Sequence, residues 1–351
     1  MTILRLIADD LTGALDTAAQ FTGRIGPLPV LLDGSIPAPA GSYALDLSCR
    51  DRDEQMAVAA TREAVRCFVG ADLAFKKIDS LLRGHWAAEL AEIVRSGMFR
   101  RIVLAPAFPA QGRVTRGGRQ MRTRLRGEAE VIKNIAAELQ RHGVSLHDRN
   151  CEIALPDAES DADLDAIAGR YAHEPAPLWC GAAGLARALA QRPPRTGRPL
   201  GGPHLVIIGS RHPVSLRQIE VATAARPEWF APQADLDFEA RVRTTLEARG
   251  RCIVLPALPP GLSEMEAIER IARGVERLAE RLPPPAALTV VGGETFAAVC
   301  HMLKATWLSV DGEFLPGIPT SRMESGLWRG TDCASKSGAF GAPDWLLNHL
   351  A

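Results

Sequence analysis

Apolar residues in this 351-residue chain fall into two kinds of run that alternate along its length. Short runs rich in Ile, Val and Leu, at Ile3 to Ala8, Tyr43 to Leu47, Leu73 to Ile78, Arg101 to Ala105 and Leu178 to Cys180, have the length of buried strands. Between them apolar positions recur with helical period, at about Thr12 to Thr22, Glu54 to Phe68, Trp86 to Ser96, Glu128 to Arg141 and Ala162 to Tyr171. A second series follows, with strands at Leu205 to Ile208, Cys252 to Leu255 and Leu288 to Val291. Its helices are at Val214 to Ala225, Ser263 to Arg281 and Thr295 to Lys304. Strands that alternate with helices predict parallel sheets with covered faces. The segment Gln191 to Pro203 concentrates Pro, Gly and Arg and can propagate neither helix nor central strand. The predicted fold is therefore α/β: two domains, residues 1–197 and 198–351, each a mainly parallel sheet covered by helices.

Composition narrows the partners. Lys plus Arg and Asp plus Glu each number 41, so the formal net charge is zero. No whole-protein field draws the chain to nucleic acid or an acidic membrane, and any anion site must be local. The seven cysteines are scattered singly, without the spacing of a zinc or redox site, and read as buried thiols in a reducing compartment. The first ten residues lack the apolar core of a signal peptide, and no stretch approaches a membrane span. A cytoplasmic protein with small-molecule partners is expected.

Chemistry gathers where strands end. Asp9 and Asp10 follow the first strand, just before a helix; one of them suffices as a helix cap, and two exceed that need. The third strand runs into Lys76-Lys77-Ile78-Asp79-Ser80-Leu81-Leu82-Arg83-Gly84-His85. There Arg83 suits a carboxylate and Asp79 suits the proton of an attacking hydroxyl, although a capped loop with a surface ion pair reads equally from the letters. His85 alone reads as a loop hydrogen-bonder. After the next strand, prolines and glycines from Pro106 to Gly112 fix a loop from which Arg113 projects, and Arg116, Arg119, Arg122, Arg124 and Arg126 read as a solvated basic loop. In the second half, Gly292-Gly293-Glu294-Thr295 passes from strand to helix, the layout of an anion site or of a plain tight turn. Gly209-Ser210-Arg211 repeats it, and Ser335 to Gly341 places Lys336 and Gly338 in a third glycine-rich turn. Neither G-x-x-x-x-G-K-[ST] nor G-x-G-x-x-G opening a helix is present.

Eight stretches taken together resemble the four-carbon acid sugar kinase family, long catalogued as a domain of unknown function. They are IADDLTGALD (7–16), KKIDSLLRGH (76–85), LAPAFPAQGR (104–113), GAAGLARALA (181–190), IGSRHPVS (208–215), VVGGETFAAV (290–299), GEFLPGIP (312–319) and SKSGAFG (335–341). They run in the family's order across nearly the whole chain. The resemblance implies an N-terminal domain that binds a tetronate-type acid, a C-terminal domain that binds ATP with Mg²⁺, and transfer to the 4-hydroxyl in the cleft between domains. By that analogy Asp9, Asp10, Asp79, Arg83, Gly84, His85 and Arg113 hold the acid, with Asp10 or Asp79 as catalytic base. Ser210, Gly292, Gly293, Glu294, Thr295 and Gly338 contact the nucleotide, and no protein metal site is expected. D-threonate is favoured over D-erythronate or a 3-oxo-tetronate, and a homodimer is left open. Two departures stand out: Leu81 replaces the family's usual Thr, and the region after Gly118 is short, without the expected Asp-Pro segment.

Two other classes share parts of this pattern. A nicotinamide-dependent hydroxy-acid dehydrogenase has similar architecture and acidic substrates but needs the absent dinucleotide motif. A non-catalytic acid-binding sensor would close on its ligand without chemistry. ATP consumption in the presence of four-carbon acids separates all three.

Overall fold

A computed structural model describes residues 2–32, 40–123, 129–147, 150–172, 176–232, 237–259 and 261–350. The chain forms two compact units, Met1–Arg195 and Thr196–Ala351.

The first unit contains, in chain order, β1 (Leu4–Ala8), α1 (Leu11–Ile25), β2 (Leu28–Leu31), β3 (Tyr43–Asp46), α2 (Glu54–Ala64), β4 (Leu73–Lys77), α3 (Trp86–Arg95) and β5 (Arg101–Ala105). It continues with β6 (Arg113–Arg116), β7 (Arg119–Thr123), β8 (Ala129–Asn134), α4 (Ile135–Arg141), β9 (Glu152–Ala154), α5 (Asp161–Arg170), β10 (Leu178–Gly181) and α6 (Ala183–Ala190). Seven strands form a parallel array in the order β2-β3-β1-β4-β10-β5-β9. Every residue of β1, β3, β4 and β10 is buried, which is why these strands read as unbroken apolar runs.

A small antiparallel sheet, β6-β7-β8, departs from expectation. The basic loop predicted after Gly112 is a hairpin, with Arg116 and Arg119 opposite each other and Gly117 and Gly118 at φ of 56° and 68° in the turn. Two consecutive left-handed residues match the twist of a tight hairpin, a geometry that Gly-Gly supplies without steric cost. The helix predicted over Glu128–Arg141 begins only at Ile135; Ala129–Asn134 is a strand because β7 offers it a hydrogen-bonding partner, which overrides its local helical pattern. Arg124, Arg126 and Glu128 lie outside the described residues.

The second unit contains β11 (His204–Ile208), α7 (Pro213–Ala225), β12 (Phe230–Pro232), α8 (Phe238–Arg249), β13 (Arg251–Leu255), α9 (Glu264–Arg281), β14 (Ala287–Val291) and α10 (Gly293–Met302). It ends with β15 (Trp307–Leu315), β16 (Ile318–Met323), β17 (Asp332–Lys336) and α11 (Trp345–Leu350). The strand order is β12-β13-β11-β14-β17-β16-β15, parallel through β17 and antiparallel across β17-β16-β15. The Ser263 hydroxyl and the Glu266 carboxylate form a reciprocal cap that starts α9. Among the described residues, no helix is long and apolar enough to cross a membrane.

Candidate active site

Strand order locates the first cluster. The chain leaves β1 for β2 and β3 on one side and returns to β4 on the other, so a crevice opens at the carboxyl ends of β1 and β4. Asp9 and Asp10 follow β1, and Asp79 follows β4. Arg50, just beyond β3, joins them. Its guanidinium donates to both Asp9 carboxylate oxygens at 2.8 Å and to Asp10 Oδ1 at 2.5 Å, and lies 4.0 Å from Asp79 Oδ1. Sequence reading missed Arg50, although its place just past a predicted strand end was a usable signal.

The three carboxylates differ electrically. Burial works to raise Asp9, but Arg50 and then Lys76 outweigh it and hold the group below its ordinary range. Asp10 is raised: burial is the largest effect, the Arg50 charge opposes it, and the Asp9 charge adds to it. Asp79 also meets a burial penalty, which the Arg83 hydrogen bond and the Arg50 charge overcome, so it stays well below the usual carboxylate range. Asp79 Oδ1 accepts from Arg83 Nη2 at 2.8 Å and its Oδ2 accepts from the Leu81 amide at 2.9 Å. Asp10 is also the helix cap considered above, accepting from the Gly13 amide at 3.0 Å.

Arg113 opens β6 rather than projecting from a loop. It donates to the Gln111 side chain, and among the described residues its buried Nε has no hydrogen-bond partner. Burial, with the charges of Arg122 and Arg83, lowers its affinity for its proton against the pull of Asp79. Arg83, Arg113 and Arg122 thus make one margin of the crevice electropositive. Gly84, at φ 73°, leaves room for Arg50, whose Cγ would stand 3.0 Å from an added methyl. His85 turns away and donates from Nε2 to the Arg52 carbonyl at 2.7 Å, bracing the Arg50 loop. Gln120, fully buried, donates to the Ser80 carbonyl at 2.7 Å and the Pro106 carbonyl at 3.3 Å, tying both site loops to β7. Nothing in its sequence context marks that role.

The second unit repeats the topology. The chain leaves β11 for β12 and β13 and returns on the other side to β14, so loops after β11, β14 and β17 share one edge. The Gly209 amide donates to the Val291 carbonyl and the Gly292 amide to the Lys336 carbonyl, both at 2.8 Å. A methyl on Gly338 would collide with the Ser210 side chain, and one on Gly209 would collide with Thr295. Ser210, Gly292, Gly293, Thr295 and Gly338 are therefore brought together. Gly292, at φ 125°, begins α10 without a side-chain cap. Thr295 is buried beneath Gly209, whereas Glu294 is exposed in the first turn. From α7, Ser215 donates to the Gly338 carbonyl at 2.7 Å, and Gln218 donates to the Phe340 and Ala342 carbonyls at 3.0 Å. Lys336 is a correction: it ends β17 instead of lying in the turn, is 1% exposed, and sits 5.1 Å from the Trp345 ring centre. Burial pushes its ammonium down to about 8.

Residues 4–124 match the family model of a sugar-binding N-terminal domain, and residues 205–346 match that of a nucleotide-binding C-terminal domain. The chain belongs to the four-carbon acid sugar kinase family. Similar members of this kinase family include a D-threonate kinase of Cupriavidus necator, 29% identical over 406 positions, covering 96% of this chain and 94% of that protein. Another, from Bordetella bronchiseptica, is 28% identical and covers 97% and 95% of the two chains. The 406 aligned positions exceed the 351 residues here, so the relative carries segments that this kinase lacks. Among solved structures, Haemophilus influenzae protein HI1011 is 17% identical with a TM-score of 0.72 over 98% of each chain. A Salmonella typhimurium protein described as a putative tRNA synthase is 19% identical with a TM-score of 0.76 over 99% and 98%. Identity that low speaks for shared fold alone.

Proposed function

We propose that this kinase transfers the terminal phosphoryl group of ATP to the 4-hydroxyl of a four-carbon sugar acid, with D-threonate as acceptor. Residues 1–197 would bind the acid and residues 198–351 the nucleotide. The observation that carries this reading is the presence in one chain of two switch-point edges, one holding carboxylates beside arginine donors, the other lined by three glycine-bearing loops. Arg83 and Arg113 would take the acid's carboxylate, since planar guanidinium donors match its two oxygens. The uncapped start of α10 and the Gly209, Gly292 and Gly338 loops would let backbone amides approach the phosphates.

Asp10 is the base that the electrostatics favour. A carboxylate raised by burial takes a proton more readily than Asp79, whose charge Arg83 and a backbone amide already satisfy. Asp79 instead orients Arg83. Mg²⁺ would arrive with the nucleotide, held mainly by phosphates and water. The ion would supply neutralisation of phosphate charge. Direct transfer requires acceptor oxygen and terminal phosphorus to approach within about 3–3.5 Å in the reacting complex.

The test is ADP formation by the purified protein with a panel of four-carbon acids, run beside NAD⁺ reduction. Turnover dependent on both ATP and a tetronate supports the reading. NADH formation, or acid binding without ADP, contradicts it.

A further inference from the structure

We infer that Lys77 is a catalytic residue of the reaction proposed above, its ammonium donating to the acceptor oxygen while Asp10 takes that oxygen's proton. The inference rests on that proposal. Two lysines end β4, and consecutive strand residues send their side chains to opposite faces. Lys76 meets Glu89 of α3 at 2.6 Å, with both side chains fully buried. Lys77 turns instead toward α1. A methyl on Gly13 would stand 2.6 Å from Lys77 Nζ and collide with Asp10 Oδ1, so the bare glycine lets ammonium and carboxylate lie near each other over the helix start.

Three neighbouring cations are answered: Arg50 by Asp9 and Asp10, Arg83 by Asp79, Lys76 by Glu89. Lys77 is 6% exposed, yet among the described residues its ammonium has no hydrogen bond and no carboxylate within 4.0 Å. The charges of Asp9, Asp10, Asp16 and Asp79 reach it only through space. A largely buried ammonium gains from an oxygen in contact, and among the described residues no carboxylate supplies one. A substrate hydroxyl fits because it can accept from Lys77 and donate to Asp10 at once. As its proton moves to Asp10, its oxygen bonds to the terminal phosphorus and the bond from that phosphorus to the departing ADP oxygen breaks, negative charge on the acceptor oxygen during the transfer strengthens the Lys77 contact. The gain therefore falls on the transition state more than on the bound acid.

Lys77→Met tests this through a split between rate and binding. The expected result is a kcat loss of at least about 100-fold, with the acid's KM and calorimetric Kd within about threefold of wild type. Thermal stability should change little, because no ion pair in contact is broken and only a through-space pull on the nearby aspartates is lost. Lys77→Ala should regain part of its kcat with added ethylammonium, a rescue that a merely structural lysine would not show. A kcat within about fivefold of wild type, or a loss confined to KM, overturns the role. If neither variant folds, Lys77→Arg decides: at least about tenfold lower kcat at unchanged KM supports the role, and wild-type kcat ends it. Wild-type protein run alongside keeps the two readings apart. No ADP from wild type with any four-carbon acid refutes the proposed reaction itself, whereas equal turnover by wild type and Lys77→Met refutes only Lys77.

Discussion

Removing Arg50 should unsettle the first unit more than any other single change at its acid edge. Its guanidinium, 9% exposed, is the contact partner of Asp9, which is 1% exposed, and of Asp10. Arg50→Met keeps the packing stem and deletes the charge, leaving two adjacent carboxylates desolvated and mutually repelling. Breaking a buried pair in this way costs about 3–5 kcal/mol. For a unit of 195 residues that corresponds to a fall of about 6–20 °C in Tm. The pH dependence follows from signs. In wild type the folded-state pKa of Asp9 lies below that of an ordinary unfolded carboxyl, so its ionisation stabilises the fold above that ordinary value and the benefit fades as pH falls through the folded pKa. Without Arg50, burial is less opposed, and the folded-state pKa of Asp9 and Asp10 should lie above their unfolded values. Each charge then destabilises the fold at high pH, and protonation relieves the cost as pH falls. Calorimetric unfolding at pH 8 and pH 5 should show the larger deficit at pH 8. A deficit under about 2 °C at pH 8, or one that grows toward pH 5, would refute the reasoning.

Three further outcomes follow from the site geometry. Asp10→Asn should lower kcat by about 10²–10⁴ with ATP affinity unchanged, while Asp79→Asn should chiefly raise the acid's KM by releasing Arg83; steady-state kinetics beside nucleotide calorimetry separate these. Gly338→Ala forces a methyl into Ser210 and should weaken ATP binding at least about tenfold while leaving acid binding intact, as read by paired titrations. Burial pushes the Asp46 carboxyl up to about 7 against two hydrogen bonds from Ser48, so its cost to stability builds as pH rises from the unfolded carboxylate range, is complete above about 7, and vanishes only at or below the unfolded value. Asp46→Asn should therefore raise Tm most at pH 8, less at pH 5.5 and least at pH 4; equal shifts at all three would contradict the sign.

Much of the framework was readable because its signals are local. Parallel strands buried on both faces write themselves as continuous apolar runs, and loops at their carboxyl ends carry the acids and glycines in sequence view. Asp9, Asp10, Asp79, Arg83 and Arg113 converge because two of those loops flank a reversal of strand order and the third leads into β6. What depends on distant pairing was not readable. β8 looks helical until β7 stands beside it, and β15 to β17 form an antiparallel edge whose register no local period announces. Arg50 becomes a hub only because β3 neighbours β1, and Gln120 acquires its role only once the hairpin folds back on two loops. Lys336 was misplaced by one element: its letters suit a glycine turn, while its backbone belongs to the strand before it.

The most direct test of the account is phosphorus NMR of wild-type protein mixed with ATP, Mg²⁺ and D-threonate. The account predicts one new phosphomonoester signal, coupled to the C4 protons of the acid and growing in step with ADP. ATP left unchanged, or a phosphate lost to water with no ester formed, would contradict it.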